Sequence, residues 1–301
     1  MNICHKTVLI TGVSGLLGSY LVKTVPDDIS LHGTWLTTVT IPNGHLSTHR
    51  LDITKRDEVS AIFEKCKPDI VIHCAAMGSV DYCQNHWQEA YVVNVKGTQN
   101  ILDMASYNNT KVVFISTNAV YDGENAPYSP ESPKMPVNMY GRMKAESEMA
   151  VLESFCSEYL IIRPIMLYGW APHGARGNWA TIVLDNITRG KEIMIVDDTI
   201  TQPTYAWDCA SVIWKLLELG ETGMYNIGGQ DTMTLCDFAR KVAKRFGLNQ
   251  DRVVSIKSEN LENLAPRPRN TTYCLDKLLE KGIKTMGVME GLSAMREESK
   301  L

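Results

Sequence analysis

A regular alternation of short apolar segments with longer segments of helical period constrains this fold more than any other feature of the sequence. Runs such as Thr7–Thr11 (TVLIT) and Asp69–Cys74 (DIVIHC) are apolar and β-branched over most of their length. Strands of this composition are typical of parallel sheets, because helices cover both faces of such a sheet. The alternation therefore predicts βαβ units and an α/β fold with a doubly wound parallel sheet. The predicted strands are Thr7–Thr11, Ile29–Trp35, His49–Asp52, Asp69–Cys74, Lys111–Ser116 and Tyr159–Arg163, and the predicted helices between them are Leu16–Val25, Lys55–Cys66, Gln88–Tyr107 and Asn138–Glu158.

A glycine-rich turn directly follows the first predicted strand. The segment TVLITGVSGLLG places Gly12, Gly15 and Gly18 between this strand and the first helix, with the spacing GxxGxxG. Glycine permits both a tight turn and a close approach of the backbone to a pyrophosphate, whose charge a helix N-terminus attracts. Between a strand and a helix, the motif predicts a Rossmann-like, dinucleotide-binding domain.

In the second half of the chain, predicted strands and helices alternate less regularly. Its predicted elements are helices over Trp179–Arg189, Trp207–Leu219 and Leu235–Phe246 and a strand over Gly223–Gly228. We expect residues 1–165 and 194–230 to form the NAD(P)-binding domain. Residues 166–193 and 231–301 are expected to form a smaller C-terminal substrate lobe, partly interleaved with that domain.

Charge and cysteine content exclude several classes of protein. The chain has 30 Lys and Arg against 34 Asp and Glu, a net charge of -4, so it lacks the global basic field of a nucleic-acid-binding protein. None of its eight cysteines forms a CxxC pair or a Cys/His cluster with zinc-ligand spacing, which predicts reduced thiols and no metal site. No apolar run approaches the roughly 18 residues of a membrane span, and the N-terminus lacks a signal-peptide pattern. These features predict a cytoplasmic protein.

A tyrosine and a lysine four residues apart form the second chemical motif. On a helix, Tyr140 and Lys144 lie on one face, where the ammonium is expected to lower the pKa of the phenol from about 10. Such a tyrosine can exchange a proton with a carbonyl or hydroxyl group. The spacing by itself is common on solvated helices. The strand KVVFIS, however, delivers Ser116 and Thr117 at its carboxyl end, where open α/β sheets bind ligands.

Together these motifs resemble the extended short-chain dehydrogenase/reductases, and within that superfamily the dTDP-4-dehydrorhamnose reductase family. The resemblance rests on the stretches 66–84 (CKPDIVIHCAAMGSVDYCQ), 93–101 (VNVKGTQNI), 116–146 (STNAVYDGENAPYSPESPKMPVNMYGRMKAE), 160–169 (LIIRPIMLYG) and 265–278 (APRPRNTTYCLDKL). It implies NAD(P)H-dependent reduction of a nucleotide-linked 4-keto-6-deoxy sugar, a reaction of polysaccharide biosynthesis. Thr117 is then expected to bind the carbonyl and Tyr140 to act as the acid, while Lys144 lowers the pKa of Tyr140 and binds the nicotinamide ribose.

The resemblance also assigns binding residues. It implies cofactor contacts at Gly12, Ser14, Gly15, Leu16, Leu17, Asp52, Ile53, Ala75, Ala76, Asn94, Tyr140, Lys144 and Arg163, and substrate contacts at Asn118, Met166, Asn178, Trp179 and Arg267. Three of these have alternative roles. Asn94 is equally suited to bend its own helix, Arg163 to a buried ion pair, and Arg267 to a solvated loop.

The sequence departs from the reductase pattern next to Thr117. Rhamnose reductases commonly have Asp and Tyr where this chain has Asn118 and Ala119. Neither residue can supply the acid–base chemistry of the related 4,6-dehydratases, but NAVYDG is close to an epimerase pattern. The alternatives are therefore a sugar-nucleotide epimerase and a non-catalytic, NADP-binding regulatory subunit that resembles the methionine adenosyltransferase beta subunit.

The second predicted strand bears on the choice of cofactor. It ends near Gly33, Thr34 and Trp35, so no carboxylate is in place to repel a 2′-phosphate. We therefore expect NADP(H) to be preferred, with contacts from Arg50 or His49, and NAD(H) is the alternative cofactor. The expected partner is the nucleotide sugar, without nucleic acid or membrane, and a homodimer is left open.

Overall fold

A seven-stranded parallel sheet organises the fold. The computed structural model describes residues 3–37, 46–154, 158–260 and 264–299. Within these ranges the sheet has the strand order β11-β6-β5-β4-β1-β2-β3, and every neighbouring pair is parallel. Its strands are β1 (Thr7–Thr11), β2 (Ser30–Trp35), β3 (Leu46–Arg50), β4 (Ile70–His73), β5 (Lys111–Ile115), β6 (Tyr159–Pro164) and β11 (Gly223–Ile227). The predicted Rossmann-like sheet is confirmed.

Helices cover both faces of this sheet. The helices of the described ranges, including those of the C-terminal part, are α1 (Leu16–Lys23), α2 (Arg56–Cys66), α3 (Val80–Asn85), α4 (Trp87–Tyr91), α5 (Thr98–Asn108), α6 (Met139–Glu153), α7 (Trp179–Thr188), α8 (Ala206–Glu218), α9 (Leu235–Arg245), α10 (Asp276–Leu279) and α11 (Val288–Glu298). On one face α1 packs against α8, and on the other α2 packs against α5. Alternate residues of β1 separate the two cores, with Val8 and Ile10 in one and Leu9 in the other.

Three short strand pairs lie outside the main sheet. Their strands are β7 (Leu167–Tyr168), β8 (Ile193–Val196), β9 (Ile200–Thr201), β10 (Thr204–Tyr205), β12 (Met233–Thr234) and β13 (Val253–Ile256). The pairs β8–β13 and β9–β12 connect the chain around 193–201 to the C-terminal part. In the described ranges, no helix is both long and apolar enough to cross a membrane.

The bounds of several elements differ from the prediction. The third strand begins at Leu46, ahead of the predicted His49, because β3 is a largely polar edge strand without an apolar pattern. The predicted helix Gln88–Tyr107 contains a π-helical segment, Val92–Gly97. The predicted helix Asn138–Glu158 ends at Glu153; residues 155–157, with Cys156, lie outside the described ranges.

The chain reverses direction across the sheet between β1 and β4. From β1 it proceeds outward to β2 and β3, and from β4 it proceeds the other way through β5 and β6. In open α/β sheets such a reversal opens a crevice at the carboxyl ends of the strands, and ligands bind there. Thr11, His73 and Ile115 end the three central strands, so the residues that follow them line this crevice.

Candidate active site

The first position of the glycine turn has a backbone conformation and a close contact that require glycine. Gly12 has a φ of +75°, and a Cβ on it would lie 2.9 Å from the main-chain nitrogen of Ala75. The amides of Gly12 and Val13 both donate to the carbonyl of Thr34, at 2.9 and 3.0 Å. The turn is thereby fixed between the ends of β2 and β4, where the predicted pyrophosphate would lie.

The N-terminus of α1 is arranged to receive an anion. Gly15 is its N-cap, no side chain of the described residues caps it, and its first turn contains no acidic residue. A Cβ on Gly15 would meet only the carbonyl oxygen of Gly12, at 3.3 Å. The amides of this turn, contributed by Ser14, Leu16 and Leu17, are therefore available to a phosphate under the positive end of the helix dipole.

A hydrogen-bond network fixes the segment after β4. The hydroxyl of Thr11 contacts Nδ1 of His73 at 2.7 Å and accepts a bond from the amide of Ala75 at 3.2 Å. Asn94 holds the next turn, since its Oδ1 accepts from the amide of Met77 at 2.8 Å and its Nδ2 donates to the Met77 carbonyl at 3.1 Å. The predicted cofactor-lining residues Ala75 and Ala76 lie between these two anchors.

Asn94 therefore acts on a neighbouring loop rather than on its own helix. Its side chain contacts Met77, while the local widening of its helix into the π-helical segment 92–97 involves the main chain. The hydroxyls of Thr98 and Ser147 both donate to the Asn94 carbonyl, at 2.6 and 2.9 Å. A cofactor contact at this residue remains a prediction.

Asp52 and Ile53 follow the end of β3. The Asp52 carboxylate accepts bonds from the amide and the hydroxyl of Thr54, at 2.9 and 2.7 Å. Ile53 is buried against Gly97, where a Cβ would lie 2.8 Å from its side chain. Asp52 therefore shapes the turn, and it retains the second carboxylate oxygen for the predicted adenine contact.

The three predicted catalytic residues come together at the carboxyl ends of β4 and β5. Thr117 is buried, and its hydroxyl accepts a bond from the amide of Ala119 at 3.1 Å. A Cβ on Gly141 would overlap the Ala119 carbonyl, so glycine at this position allows α6 to approach closely. Tyr140, half-buried in the first turn of α6, is thereby placed next to the Thr117 hydroxyl.

Lys144 lies one helical turn further along α6. Its ammonium is almost completely buried and lies 4.1 Å from the centroid of the Phe114 ring. Burial lowers the pKa of Lys144 to about 8, although Glu148 acts in the opposite direction. Among the described residues this ammonium makes no hydrogen bond, so its donors are available to a ligand in the crevice.

The pKa of Tyr140 differs from the prediction. Burial and the neighbouring Cys83 raise it to about 12, while Arg176 and Thr117 act to lower it. The expectation that it falls below 10 is wrong for the protein alone, because loss of hydration of the phenolate outweighs the nearby positive charge. The phenol consequently holds its proton at neutral pH, as an acid that protonates a substrate must.

A buried carboxylate that the sequence analysis missed lies below the catalytic residues. Glu148 is fully buried and accepts bonds from the Ser116 hydroxyl at 2.5 Å and from Nε and Nη2 of Arg163 at 2.8 and 2.7 Å. Its position one turn after Lys144 on α6 is the signal that identifies it. The other Arg163 donors bind Tyr121, Pro130 and Met224. Because all five donors are engaged, a cofactor contact at Arg163 would have to come from its main chain.

The segment 264–271 lies along the start of α6. Asn138 caps α6 and donates through Nδ2 to the Pro266 carbonyl at 2.9 Å, and Nδ2 of Asn118 donates to the Thr271 hydroxyl at 2.6 Å. Nη1 and Nη2 of Arg267 donate to the carboxylate of Asp81, at 2.9 and 2.7 Å. Two predicted substrate residues, Asn118 and Arg267, are thus engaged within the protein.

The remaining predicted substrate residues follow β6. Met166 has a φ of +39°, a left-handed backbone that is strained for a non-glycine residue and that often marks functional sites. Asn178 caps α7 and donates through Nδ2 to the Gly169 carbonyl at 2.8 Å. Trp179 begins α7 with its side chain exposed. Its indole is therefore accessible to a ligand, whereas the amide of Asn178 has a structural role.

Comparison with known proteins agrees with this arrangement. The model of the family described as the RmlD substrate binding domain matches residues 6–300. A dTDP-4-dehydrorhamnose reductase of Aggregatibacter actinomycetemcomitans is 32% identical over 287 residues, which cover 89% of this chain and 90% of that enzyme. The methionine adenosyltransferase 2 subunit beta of Bos taurus is 27% identical over 289 residues, which cover 94% of this chain and 84% of the subunit.

A solved structure extends the similarity to three dimensions. The dTDP-4-dehydrorhamnose reductase of Bacillus anthracis in complex with NADP superposes with a TM-score of 0.86 at 26% identity, covering 99% of this chain and 100% of that one. The family match spans nearly all of the present chain, including the glycine turn, Thr117, Tyr140 and Lys144. This protein is a member of the dTDP-4-dehydrorhamnose reductase-like (RmlD) family of extended short-chain dehydrogenase/reductases.

Proposed function

We propose that this protein is a reductase that uses NADPH to convert the ketone of a nucleotide-linked 4-keto-6-deoxy sugar into an alcohol. The observation that carries the proposal is the convergence of Thr117, Tyr140 and Lys144 beside an uncapped glycine turn. One edge of the sheet therefore provides both an anion site for the dinucleotide and a proton donor for the sugar.

The chain's own residues perform the proton chemistry. The Thr117 hydroxyl accepts from the amide of Ala119 and donates to Oδ1 of Asn118 over a long 3.4 Å. Its hydrogen therefore turns from Asn118 to the ketone oxygen when the substrate binds. Tyr140 gives its proton to that oxygen as hydride arrives at the carbon, and the Lys144 ammonium stabilises the resulting phenolate. NADPH supplies the hydride when it is bound. The buried pair Glu148–Arg163 holds Ser116 in place under this site.

The preference for NADP(H) is supported by the ends of β2 and β3. Arg50 pairs in register with Trp35, so a cation lies next to the end of β2. Its side chain is exposed, and in the described ranges no carboxylate is paired with it. A guanidinium in this position suits the 2′-phosphate, which NAD lacks.

The substrate is proposed to lie between the sheet edge and the C-terminal lobe. We propose that Arg267 and Trp179 contact its nucleotide, since both side chains are exposed. Asn118 and Met166 are proposed to face the sugar, because they follow the carboxyl ends of the neighbouring strands β5 and β6. The division into 1–165 with 194–230 and 166–193 with 231–301 is proposed as the division between cofactor and substrate binding.

A regulatory role is the second candidate function. Similarity to a methionine adenosyltransferase beta subunit over 94% of the chain favours it. The two candidates differ in one measurable property, because a regulatory subunit can bind NADP(H) without turning over a sugar.

The cellular compartment and the oligomeric state of the protein are also proposals. Within the described ranges the thiols of Cys66, Cys74, Cys83, Cys209, Cys236 and Cys274 form no disulfide, which supports a reducing compartment such as the cytoplasm. The neighbouring helices α4 and α6 expose Trp87, Met149 and Leu152, and we propose that this surface supports a homodimer. Light scattering of the purified protein would test the dimer.

Assaying NADPH oxidation against a panel of nucleotide-linked 4-keto-6-deoxy sugars tests the proposed function. At least one sugar should be turned over, and Tyr140→Phe should lower kcat by roughly 10²–10⁴-fold while NADPH affinity is retained. No turnover of any sugar by a chain that binds NADPH would instead support the regulatory role. Turnover without net consumption of NADPH would support an epimerase.

A further inference from the structure

Two histidines and a cysteine converge at the edge of the sheet formed by β2 and β3. His32 lies on β2, His49 on β3 and Cys66 at the end of α2. Their ligand atoms all lie within 4.8 Å of one another, and Nδ1 of His32 is 3.4 Å from Nε2 of His49. None of these side chains takes part in the proposed proton transfer, and the proposed contact with the 2′-phosphate is made by Arg50 and not by His49.

The sheet register explains how residues so far apart in the sequence come together. In the parallel pair β2–β3, His32 is opposite Ser47 and Thr34 is opposite His49. Residues two apart on a strand share a face, so both imidazoles lie on the same face of the sheet. Their rings stack with an interplanar angle of 18°, and Cys66 ends the helix that connects β3 to β4.

We propose that His32, His49 and Cys66 bind a divalent ion of the zinc class and thereby join the edge strand β3 to β2 and α2. Imidazole nitrogen and thiolate sulfur are both zinc ligands, and in a site with three protein ligands water takes the fourth position. The end of α2 adds the negative end of a helix dipole, which favours a cation. Ligand spacing in the sequence predicted no metal site, because these three residues belong to separate elements.

One neighbouring cation, the ammonium of Lys65, disfavours binding of the metal ion. Lys65 lies with its ammonium 3.4 Å from Nδ1 of His49, and its side chain is exposed. When Nε2 of His49 binds the metal, its proton moves to Nδ1, so the ammonium must turn away into solvent. The thiol of Cys66 transfers its proton to water as the sulfur–metal bond forms. Removal of the Lys65 charge should therefore strengthen binding.

Titration of the metal-free full chain with Co²⁺, followed by competition with Zn²⁺, tests the proposal. Tetrahedral Co²⁺ bound to a thiolate gives a charge-transfer band in the near ultraviolet, and one equivalent per chain should produce it. Zn²⁺ should abolish the band and raise the unfolding temperature of the wild-type protein.

Matched variants assign the signal to these residues. Cys66→Ala should eliminate the band, and His32→Gln and His49→Gln should each weaken binding by at least about tenfold. The control variants Cys274→Ser and His86→Gln alter the same residue types elsewhere and should behave as wild type. Because His49 is only half-buried, His49→Gln is expected to remain folded even if Cys66→Ala does not.

Any of four results would overturn the proposal. Three of them are the lack of a charge-transfer band in the wild-type protein, its persistence in a folded Cys66→Ala variant or an undiminished Co²⁺ affinity in a folded His49→Gln variant, and its loss in the control variants. A Lys65→Gln variant that bound Co²⁺ more weakly than wild type would also contradict it. Because the readout does not depend on turnover, it is independent of the proposed reductase function.

Discussion

The Asp81 carboxylate accepts two hydrogen bonds, of 2.9 and 2.7 Å, from the guanidinium of Arg267. Arg267 holds the pKa of the Asp81 carboxyl below its usual range, so the carboxylate is ionised at neutral pH. The guanidinium offers the planar, two-pronged donor geometry that also suits a phosphate. A nucleotide diphosphate that binds Arg267 must therefore compete with Asp81.

Replacement of Arg267 should weaken substrate binding more than turnover. A hydrogen bond to a charged group contributes about 1.5–3 kcal/mol, so Arg267→Ala should raise the sugar KM by about 10–100-fold. The phosphates are held equally in the ground state and the transition state, so kcat should change far less. Steady-state kinetics with the preferred sugar measure both kcat and KM. An unchanged KM would indicate that the phosphates bind elsewhere, for example at Arg176.

Asp81→Asn is the matched variant, and it should act in the opposite direction. It removes the competing charge but retains the shape of the side chain. Because the ion pair is 40% and 37% exposed at its two partners, it contributes at most about 1 kcal/mol. The sugar KM should therefore fall by no more than about fivefold, measured beside wild type in one buffer. A rise in KM would show that Asp81 positions Arg267 for the substrate.

Two glycines of the turn should respond differently to the same substitution. Gly15→Val adds atoms where the pyrophosphate is proposed to lie, and it should abolish NADPH binding in a folded protein. A Cβ on Gly18 would overlap the Gly12 carbonyl and lie 2.9 Å from the Cα of Val13, so Gly18→Val should destabilise the fold by about 1–3 kcal/mol or more. Thermal unfolding and NADPH titration separate the effects. Undiminished NADPH affinity in folded Gly15→Val would disprove this location of the pyrophosphate.

The rate of reduction should depend on pH through Lys144. Its ammonium must be charged to stabilise the phenolate, and burial lowers its pKa to about 8, whereas Tyr140 holds its proton up to about 12. The value of kcat/KM for NADPH should therefore be constant on the acid side and fall as the pH rises through about 8. Lys144→Arg stays charged, so any activity it retains should lack this fall. The same alkaline fall in that variant would assign it to another group.

Cofactor preference should depend on Arg50. Arg50→Glu replaces the proposed partner of the 2′-phosphate with a repelling charge, so the Kd for NADPH should rise by about 10–100-fold while that for NADH changes little. Fluorescence titration of both cofactors measures the change. Lys244→Glu, the same charge change on α9, is the control. Equal losses for NADPH and NADH would contradict a contact with the 2′-phosphate.

Local patterns in the sequence predicted the framework of the site. Apolar strands, a glycine turn before a helix and the spacing of Tyr140 and Lys144 are short-range features, and the structure confirms the elements they predicted. The edge strand β3 was predicted three residues too short at its start, because its polar residues show no alternation. Its register was not predictable either, so the convergence of His32 and His49 was missed.

Long-range polar pairs were the other features that the sequence did not reveal. Asp81 and Arg267 are 186 residues apart, and Asn94 binds Met77, which lies 17 residues earlier in the chain. The effect of burial on the pKa of Tyr140 was also underestimated. Tyr140 was predicted from charge alone, whereas the loss of hydration at the site determines the direction of its pKa shift.

The most direct test of the reductase function follows the hydride. NADPH carrying deuterium at the transferred position of its nicotinamide C4 is incubated with the protein and the preferred nucleotide-linked 4-keto-6-deoxy sugar, and the products are examined by NMR and mass spectrometry. The account predicts one deuterium at C4 of the reduced sugar for each NADP⁺ formed, and a rate lowered by roughly 10²–10⁴-fold in Tyr140→Phe. A sugar product without deuterium, or no product from a protein that binds NADPH, would contradict it.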